Sequence, residues 1–318
     1  MNEFTYKNPI DEQHVKAIRD CQILKVGDVY YLTGTSPEFF KGDNPGVGVY
    51  SSKDLVNWKF EKYIIDSTKI ADDAWCKHRF WAPEIHPINN KFYCAFTCCN
   101  ETTNYPYSVG IAVADDVLGP YEIVTKDEAL TEGIDLNLFQ DDDGKTYAYW
   151  SCDNGLLGQE IDLETCELIG EPVKCVEKGV GKEWDYVGIE GSWVIKRDDV
   201  YIHFYSSWSR GYEIGYATAK SPLGPWEKAG NNPFFGAQAQ WACDKFEMEY
   251  TGDKNSPLTS VGHNATFKGP DGRDWITCHY QRNGENPKFG YDPIEIKNGV
   301  VTSPTGGPTH TPQTIKIR

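Results

Sequence analysis

Ile189-Glu190-Gly191 followed by Tyr201-Ile202-His203-Phe204-Tyr205 places an acidic residue at the head of one short run and an aromatic-rich run behind it. The pattern recurs four more times. Arg19-Asp20-Cys21-Gln22-Ile23 leads to Val29-Tyr30-Tyr31-Leu32, and Pro83-Glu84-Ile85 leads to Phe92-Tyr93. Ile134-Asp135-Leu136 leads to Tyr147-Ala148-Tyr149-Trp150, and Gly262-His263-Asn264 leads to Trp275-Ile276. In chain order the heads lie 64, 51, 55 and 73 residues apart, each interval long enough for one small sheet. Strand-forming repeats of that length predict propeller blades. The expected fold is therefore all-β, a five-bladed β-propeller occupying residues 1–318 as a single catalytic domain. The innermost strand of each blade lines the axis, so Asp20, Glu84, Asp135, Glu190 and His263 are expected to meet at one central site. Four carboxylates and an imidazole converging there point to acid/base chemistry.

Turn signals support the repeat. Val26-Gly27-Asp28, Asn89-Asn90-Lys91, Asp142-Asp143-Gly144, Arg197-Asp198-Asp199 and Pro270-Asp271-Gly272 each separate the first two strands of a proposed blade. Third strands are expected at Gly48–Ser52, Val109–Val113 and Ile214–Thr218. Two of these are followed by the related turns Leu118-Gly119-Pro120-Tyr121 and Leu223-Gly224-Pro225-Trp226, which is independent support for internal repetition. Helical periodicity is weak, and 30 glycines and 18 prolines punctuate the chain too often for long helices.

Composition narrows the function. A formal net charge of −16 argues against nucleic acid, whose phosphates require a basic surface. No apolar run approaches the roughly 20 residues of a membrane span, and Met1–Lys7 lacks the apolar stretch of an export signal. The expectation is a cytoplasmic protein without membrane or nucleic-acid partners, its oligomeric state open. The ten cysteines are scattered and several lie in strand patterns, so buried thiols in a reducing compartment are expected. There is no CxxC, and Cys98-Cys99 lacks a zinc-site spacing. Asp141-Asp142-Asp143-Gly144 resembles the start of a calcium loop but lacks the closing glutamate, and is expected to be a solvated hairpin tip.

The ordered set Arg19-Asp20-Cys21-Gln22-Ile23, Trp81-Ala82-Pro83-Glu84-Ile85, Gly133-Ile134-Asp135 with Leu138-Phe139, Ile189-Glu190-Gly191, Gly215-Tyr216-Ala217-Thr218 with Ser221–Pro225, and Gly262-His263 resembles glycoside hydrolase family 43. That family comprises five-bladed arabinofuranosidases, xylosidases and arabinanases. The resemblance covers about residues 15 to 285. It implies Asp20 as general base, Glu190 as general acid and Asp135 as the group that orients the acid and raises its pKa. A nearby negative charge disfavours ionisation, which keeps an acid protonated near neutral pH. The resemblance also implies that His263 binds a hydrated calcium ion, or a similar divalent cation, on the axis; a histidine hydrogen-bonded within the core is the alternative. The chain departs from the family's pattern where Cys21 and Leu136 replace the usual prolines and Ser192 stands where proline is common, changes that bear on substrate preference more than on activity.

Four further residues are candidate sugar contacts: Trp81 as an apolar face for the ring, Phe39 (or its neighbour Phe40) as a pocket wall, Glu84 as a hydroxyl partner, and Arg282 as a partner of Asp20 or of a hydroxyl. The bland alternatives are core positions for the aromatics and a surface position for the arginine. Loops around Phe39, Trp75, Trp81 and Trp208 are expected to set the sugar preferred. The expected activity is inverting, exo-acting release of D-xylose or L-arabinofuranose from hemicellulose oligosaccharides. An endo-arabinanase and a non-catalytic sugar-binding propeller are the competing readings.

Overall fold

All five turn sequences close hairpins, and each hairpin supplies the first two strands of a blade. The computed structural model describes residues 3–317 apart from 12, 16, 42 and 154. Blade one is the antiparallel set Arg19–Val26, Val29–Thr35, Gly46–Ser52 and Lys59–Asp66. Blade two is His78–Ile88, Lys91–Asn100 and Tyr105–Ala114, with the short strands Glu122–Ile123 and Thr131–Glu132 both on the third. Blade three is Ile134–Gln140, Thr146–Cys152, Gly155–Asp162 and Glu167–Glu177. Blade four is Ile189–Arg197, Val200–Ser207 and Gly211–Ala219, flanked by Glu227–Lys228 and Phe235–Gln238. Blade five has three strands, Leu258–Lys268, Asp274–Arg282 and Lys288–Pro293.

Second strands such as Val200–Ser207 are buried almost throughout, because neighbouring blades cover both faces. Residues of both parities must therefore be apolar, aromatic or small, which explains the continuous aromatic runs in place of strict alternation. Apolar clusters fill the space between successive blades. Val47, Ile65, Phe80 and Phe96 join blades one and two; Ala95, Ile111, Leu138 and Trp150 join two and three. Tyr149, Cys175, Val194 and Tyr205 join three and four; Phe204, Ile214, Val261 and Ile276 join four and five. The ring closes where Ile23 and Leu32 of blade one meet Phe267 and Trp275 of blade five, with Phe4 and Tyr6 added from the amino-terminal strand.

That strand, Glu3–Tyr6, pairs with Gln313–Lys316, while Ile10 and Ile18 donate backbone hydrogen bonds to Phe289 and Pro287 along the open edge of blade five. Asp292 anchors the junction. Its buried carboxylate accepts from Tyr6, Asn8, Tyr280 and both the amide and the hydroxyl of Thr309. Burial raises its pKa.

The two related turns adopt the same form: Gly119 and Gly224 have φ of +78° and +93°, and Tyr121 and Trp226 lie so close that a Cβ at either glycine would clash. Asp142 and Asp143 are exposed as expected, but Asp141 is not a solvated tip residue. It accepts from Lys196 at 2.9 Å and Tyr201 at 2.5 Å, tying blade three to blade four. All ten cysteines are free thiols, and Cys152 and Cys166 are partly exposed. Among the described residues no helix is long and apolar enough to cross a membrane.

Candidate active site

A bulge interrupts the first strand of every blade near its start. The pairing skips from Arg19 to Gln22, Trp81 to Glu84, Ile134 to Asn137, Glu190 to Trp193, and Gly262 to Ala265. The first unpaired residue in each case is Asp20, Ala82, Asp135, Gly191 or His263, and all five have positive φ, from +42° to +71°. A bulge re-aims the side chain it carries, and holding a non-glycine residue there costs about 1–3 kcal/mol.

The neighbouring blade helps to hold it. Ala82 donates its N–H to Thr35 Oγ1, Asp135 to Thr97 Oγ1, His263 to Ser206 Oγ, and Asp20 to His279 Nδ1, at 2.8–3.3 Å. Each acceptor occupies the same place on the second strand of the preceding blade, opposite the last residue paired before the bulge. Blade four is the exception: Gly191 N–H goes to Asp135 Oδ2 at 3.0 Å, and the equivalent Ser151 hydroxyl is buried without a partner among the described residues.

This geometry corrects the expected alignment of the five heads. Asp20, Asp135 and His263 are true equivalents, and Glu190 sits one residue ahead of its bulge. Glu84 is not a head residue. The equivalent position in blade two is Ala82, and Glu84 lies two residues farther along, level with Gln22 and Asn137. It is buried beneath the site, bonded to His86 Nε2 and Asn137 Nδ2 at 2.9 Å each, and does not line the pocket. A second register shift earlier in the same strand, between His78 and Trp81, accompanies the offset.

Asp20, Asp135, Glu190 and His263 do converge, lining one cavity of about 80 Å³ with Arg19, Thr35, Phe39, Phe40, Trp81 and Ile134. Asp20 Oδ2 accepts from Thr35 Oγ1 at 2.6 Å. Its Oδ1 faces His263 Nδ1 at 3.3 Å and Arg19 Nε at 3.9 Å. Burial alone would raise the Asp20 pKa, but the charges of His263 and Arg19 help to outweigh it and hold the carboxyl well below the usual range. Burial brings His279 down to about 4, so it is neutral, as accepting the Asp20 N–H requires.

The other two carboxyls behave oppositely. Burial raises Asp135 to about 7, and the charges of Glu190 and Asp20 add to that rise against the pull of His263. Burial also raises Glu190, against a hydrogen bond from Tyr212. Buried neighbours of like charge resist ionising together, so the pair releases its protons as a unit. For His263, burial opposes protonation, but the charges of Asp20, Asp135, Glu190 and Glu84 prevail and raise its pKa. The arrangement therefore holds an ionised carboxylate and a protonated carboxylic acid in one pocket near neutral pH, the pairing that general acid/base chemistry needs.

The pocket is walled on one side by aromatic side chains. Trp81 stacks on Tyr107 at 4.7 Å, meets Phe40 edge-on, and donates its indole N–H to the Phe39 carbonyl. The Arg19 guanidinium lies over the Phe40 ring at 5.3 Å. Arg19, Phe40 and Glu190 also border a second space of about 370 Å³, a groove lined by Trp208, Tyr212, Trp241 and Arg282. Trp81 and Phe39 both line the smaller pocket. Arg282 does not reach Asp20; it lines the groove, and Arg19 takes the place beside that carboxylate. Trp75 is removed from the site altogether: it is core, stacked on Phe96 and bonded to the Thr125 carbonyl.

Sequence reading missed Tyr212, His279, Thr35 and Arg19. Tyr212 donates a 2.5 Å bond to Glu190 Oε1 and stacks on His279 at 5.1 Å. Arg19 was legible as the neighbour of Asp20, and Thr35 and His279 as the residues opposite a head; nothing in the local sequence marks Tyr212. As for a metal, His263 turns Nδ1 to the carboxylates and leaves Nε2 buried with no partner among the described residues. No group of three or more His, Cys, Asp or Glu among the described residues is arranged to hold an ion. A single unpartnered imidazole nitrogen fits a hydrated ion that takes its remaining ligands from water, and does not fit a closed protein cage.

A family model described as glycosyl hydrolases family 43 matches residues 6–301. The chain is 27% identical over 255 residues to a beta-D-galactofuranosidase of Aspergillus niger, covering 73% of this chain and 65% of the relative. It is 30% identical over 260 residues to a xylosidase/arabinosidase of Butyrivibrio fibrisolvens, covering 77% of this chain and 45% of the relative. It thus spans less than two thirds of either relative's length. A solved structure described as a thermostable family-43 glycoside hydrolase superposes with a TM-score of 0.78 at 28% identity, covering 97% of this chain and 98% of that one.

Proposed function

The chain belongs to glycosyl hydrolases family 43, and on that premise we propose that it is a glycoside hydrolase, an inverting, exo-acting enzyme releasing terminal D-xylose or L-arabinofuranose from hemicellulose oligosaccharides. Glu190 is the general acid, Asp20 the general base and Asp135 the residue that positions Glu190 and keeps it protonated. The observation that carries the exo reading is the position of Glu190, on the border between a small aromatic-walled pocket and a wider groove. A terminal sugar fills the pocket, the rest of the oligosaccharide lies in the groove, and the glycosidic oxygen is protonated between them.

Glu190 donates its proton to the leaving oxygen as the bond from anomeric carbon to oxygen breaks. Asp20, ionised at neutral pH, takes a proton from a water that attacks the opposite face of the anomeric carbon. The Thr35 hydroxyl and the Arg19 and His263 side chains hold Asp20 in the ionised form. Asp135 acts on Glu190 in two ways: the two buried carboxyls oppose each other's ionisation, so that one proton stays with the pair, and its Oδ2 holds the adjacent Gly191 amide. Trp81 and Phe39 exclude water from the apolar side of the sugar. The similarity to the Butyrivibrio xylosidase/arabinosidase supports a pentosyl substrate. In its neutral form, with Nδ1–H still turned to Asp20, His263 would hold a hydrated calcium ion, or a similar divalent cation, on Nε2. Bound there, it would add fixed positive charge beneath the carboxylates.

The test is hydrolysis of nitrophenyl β-D-xylopyranoside and α-L-arabinofuranoside, after chelation and again with calcium restored, with the released sugar followed by proton NMR. Release of the inverted anomer, abolished in Glu190→Ala, is expected. Retention of configuration would overturn the inverting assignment, and polymer cleavage without monosaccharide release would favour an endo-acting arabinanase. Rates indifferent to chelation and calcium would remove the ion and leave the carboxylate roles intact.

A further inference from the structure

The groove beside Glu190 has a floor that the general scheme of acid and base leaves unused. The α-helix Gln240–Lys245 stands between the last strand of blade four and the first strand of blade five, and Trp241 is its second residue. Ala242 and Cys243 of the helix are buried, whereas the Trp241 side chain is 60% exposed and belongs to none of the apolar clusters described above. It lines the groove together with Trp208.

The backbone beneath this indole is fixed at both ends. Ala239 N–H donates to the Arg210 carbonyl at 2.8 Å just before the helix. Beyond it, the carbonyls of Phe246 and Glu247 accept from the Tyr186 hydroxyl and the Lys182 ammonium. The preceding strand pairs Ala237 with Tyr212, whose hydroxyl donates to Glu190. A short stretch of backbone, one strand pairing and one side-chain hydrogen bond thus connect the exposed indole to the proposed proton donor. Trp208, in the same groove, is held against Gly188, where even a Cβ would lie 2.2 Å from its ring.

We propose that Trp241 is a specificity-determining platform for the sugar unit on the leaving-group side of the scissile bond. This assignment rests on the exo-glycosidase reading above. An indole face suits the C–H face of a neutral sugar ring, because it removes apolar area from water without demanding a hydrogen bond. The same groove presents Gln281, Asn283 and Arg282, the last with a buried Nε lacking a partner among the described residues, as donors for the ring's hydroxyls. A platform on anchored backbone contributes more than one on a mobile loop, since less conformational freedom is lost on binding. The occupant is the second sugar of the oligosaccharide; a leaving group too small to reach the indole would gain nothing from it.

The test compares Trp241→Ala, Trp241→Phe and the unmodified protein on two substrates sharing the same terminal sugar. One is β-D-xylopyranosyl or α-L-arabinofuranosyl fluoride, whose leaving group is a single atom. The other is the matching trisaccharide. For Trp241→Ala, kcat/KM on the trisaccharide is expected to fall about tenfold, mainly through KM, with the fluoride rate unchanged and Trp241→Phe intermediate. Equal losses on both substrates, or no loss on the trisaccharide, would overturn the assignment. Failure of the unmodified protein to turn over either substrate would instead overturn the exo-glycosidase reading beneath it.

Discussion

Asp135 Oδ2 accepts the backbone N–H of Gly191 at 3.0 Å, taking a role that a hydroxyl or an imidazole of the preceding blade fills at every other bulge. Gly191 follows Glu190 directly, so this bond couples a buried carboxylate to the backbone that aims the proposed acid. It also gives Asp135 a structural duty separable from its charge.

Asp135→Asn separates the two. The amide oxygen can still accept from Gly191, so the fold and the aim of Glu190 are expected to survive with the thermal midpoint close to that of the unmodified protein. The lost negative charge makes Glu190 easier to ionise. Activity should fall roughly hundredfold or more, and the basic limb of the kcat profile should move to lower pH. A pH–rate profile checks this, and an unchanged basic limb would sink the charge role.

Tyr212→Phe should move the same limb the other way. The Tyr212 hydroxyl stabilises the ionised form of Glu190, so its removal raises the acid's pKa and the basic limb shifts to higher pH. The Phe ring keeps the stack on His279. A fall of about tenfold in kcat is expected from looser aim, the order of one hydrogen bond to a charged group. Identical limbs in mutant and parent would show that the 2.5 Å contact has no bearing on protonation.

Acid stability should depend on His203. It is fully buried between Tyr149 and Trp226, and burial lowers its pKa to about 3. The unfolded chain takes up a proton near pH 6.5 and the folded one does not, so stability is complete above that pH and is lost as pH falls from about 6.5 toward 3. His203→Phe removes the titration while keeping an aromatic ring in the slot. Its thermal midpoint is expected to drop less than the parent's between pH 7 and pH 5. Equal drops would exclude His203 as a source of the acid dependence.

Ring closure makes a further prediction. Asp292→Ala deprives Tyr6, Asn8, Tyr280 and Thr309 of a shared acceptor inside a buried junction. The cost should be about 3 kcal/mol, read as a lower urea midpoint, while Asp292→Asn retains one acceptor oxygen and should lose less. Equal stability of all three proteins would mean that closure does not depend on this carboxylate.

The sequence alone determined the five repeats, their order, the hairpin turns and the residues Asp20, Asp135, Glu190 and His263 as a converging set. Those features are local: a turn signal, an aromatic run and a polar residue at its head are each written within a few positions. Tertiary structure decided the rest. Glu84 and the true blade-two head, Ala82, cannot be told apart by spacing, because a bulge changes register without leaving a composition signal when its residue is alanine. Trp75 and Trp81 are six positions apart in one chain segment, yet one is core and one faces the pocket, a distinction made only by which blades pack around them. Tyr212 reaches Glu190 across 22 residues, and His279 reaches Asp20 across 259. Such contacts arise because closing the ring brings the edges of successive blades together at the axis, and no local stretch of sequence records which side chains then meet.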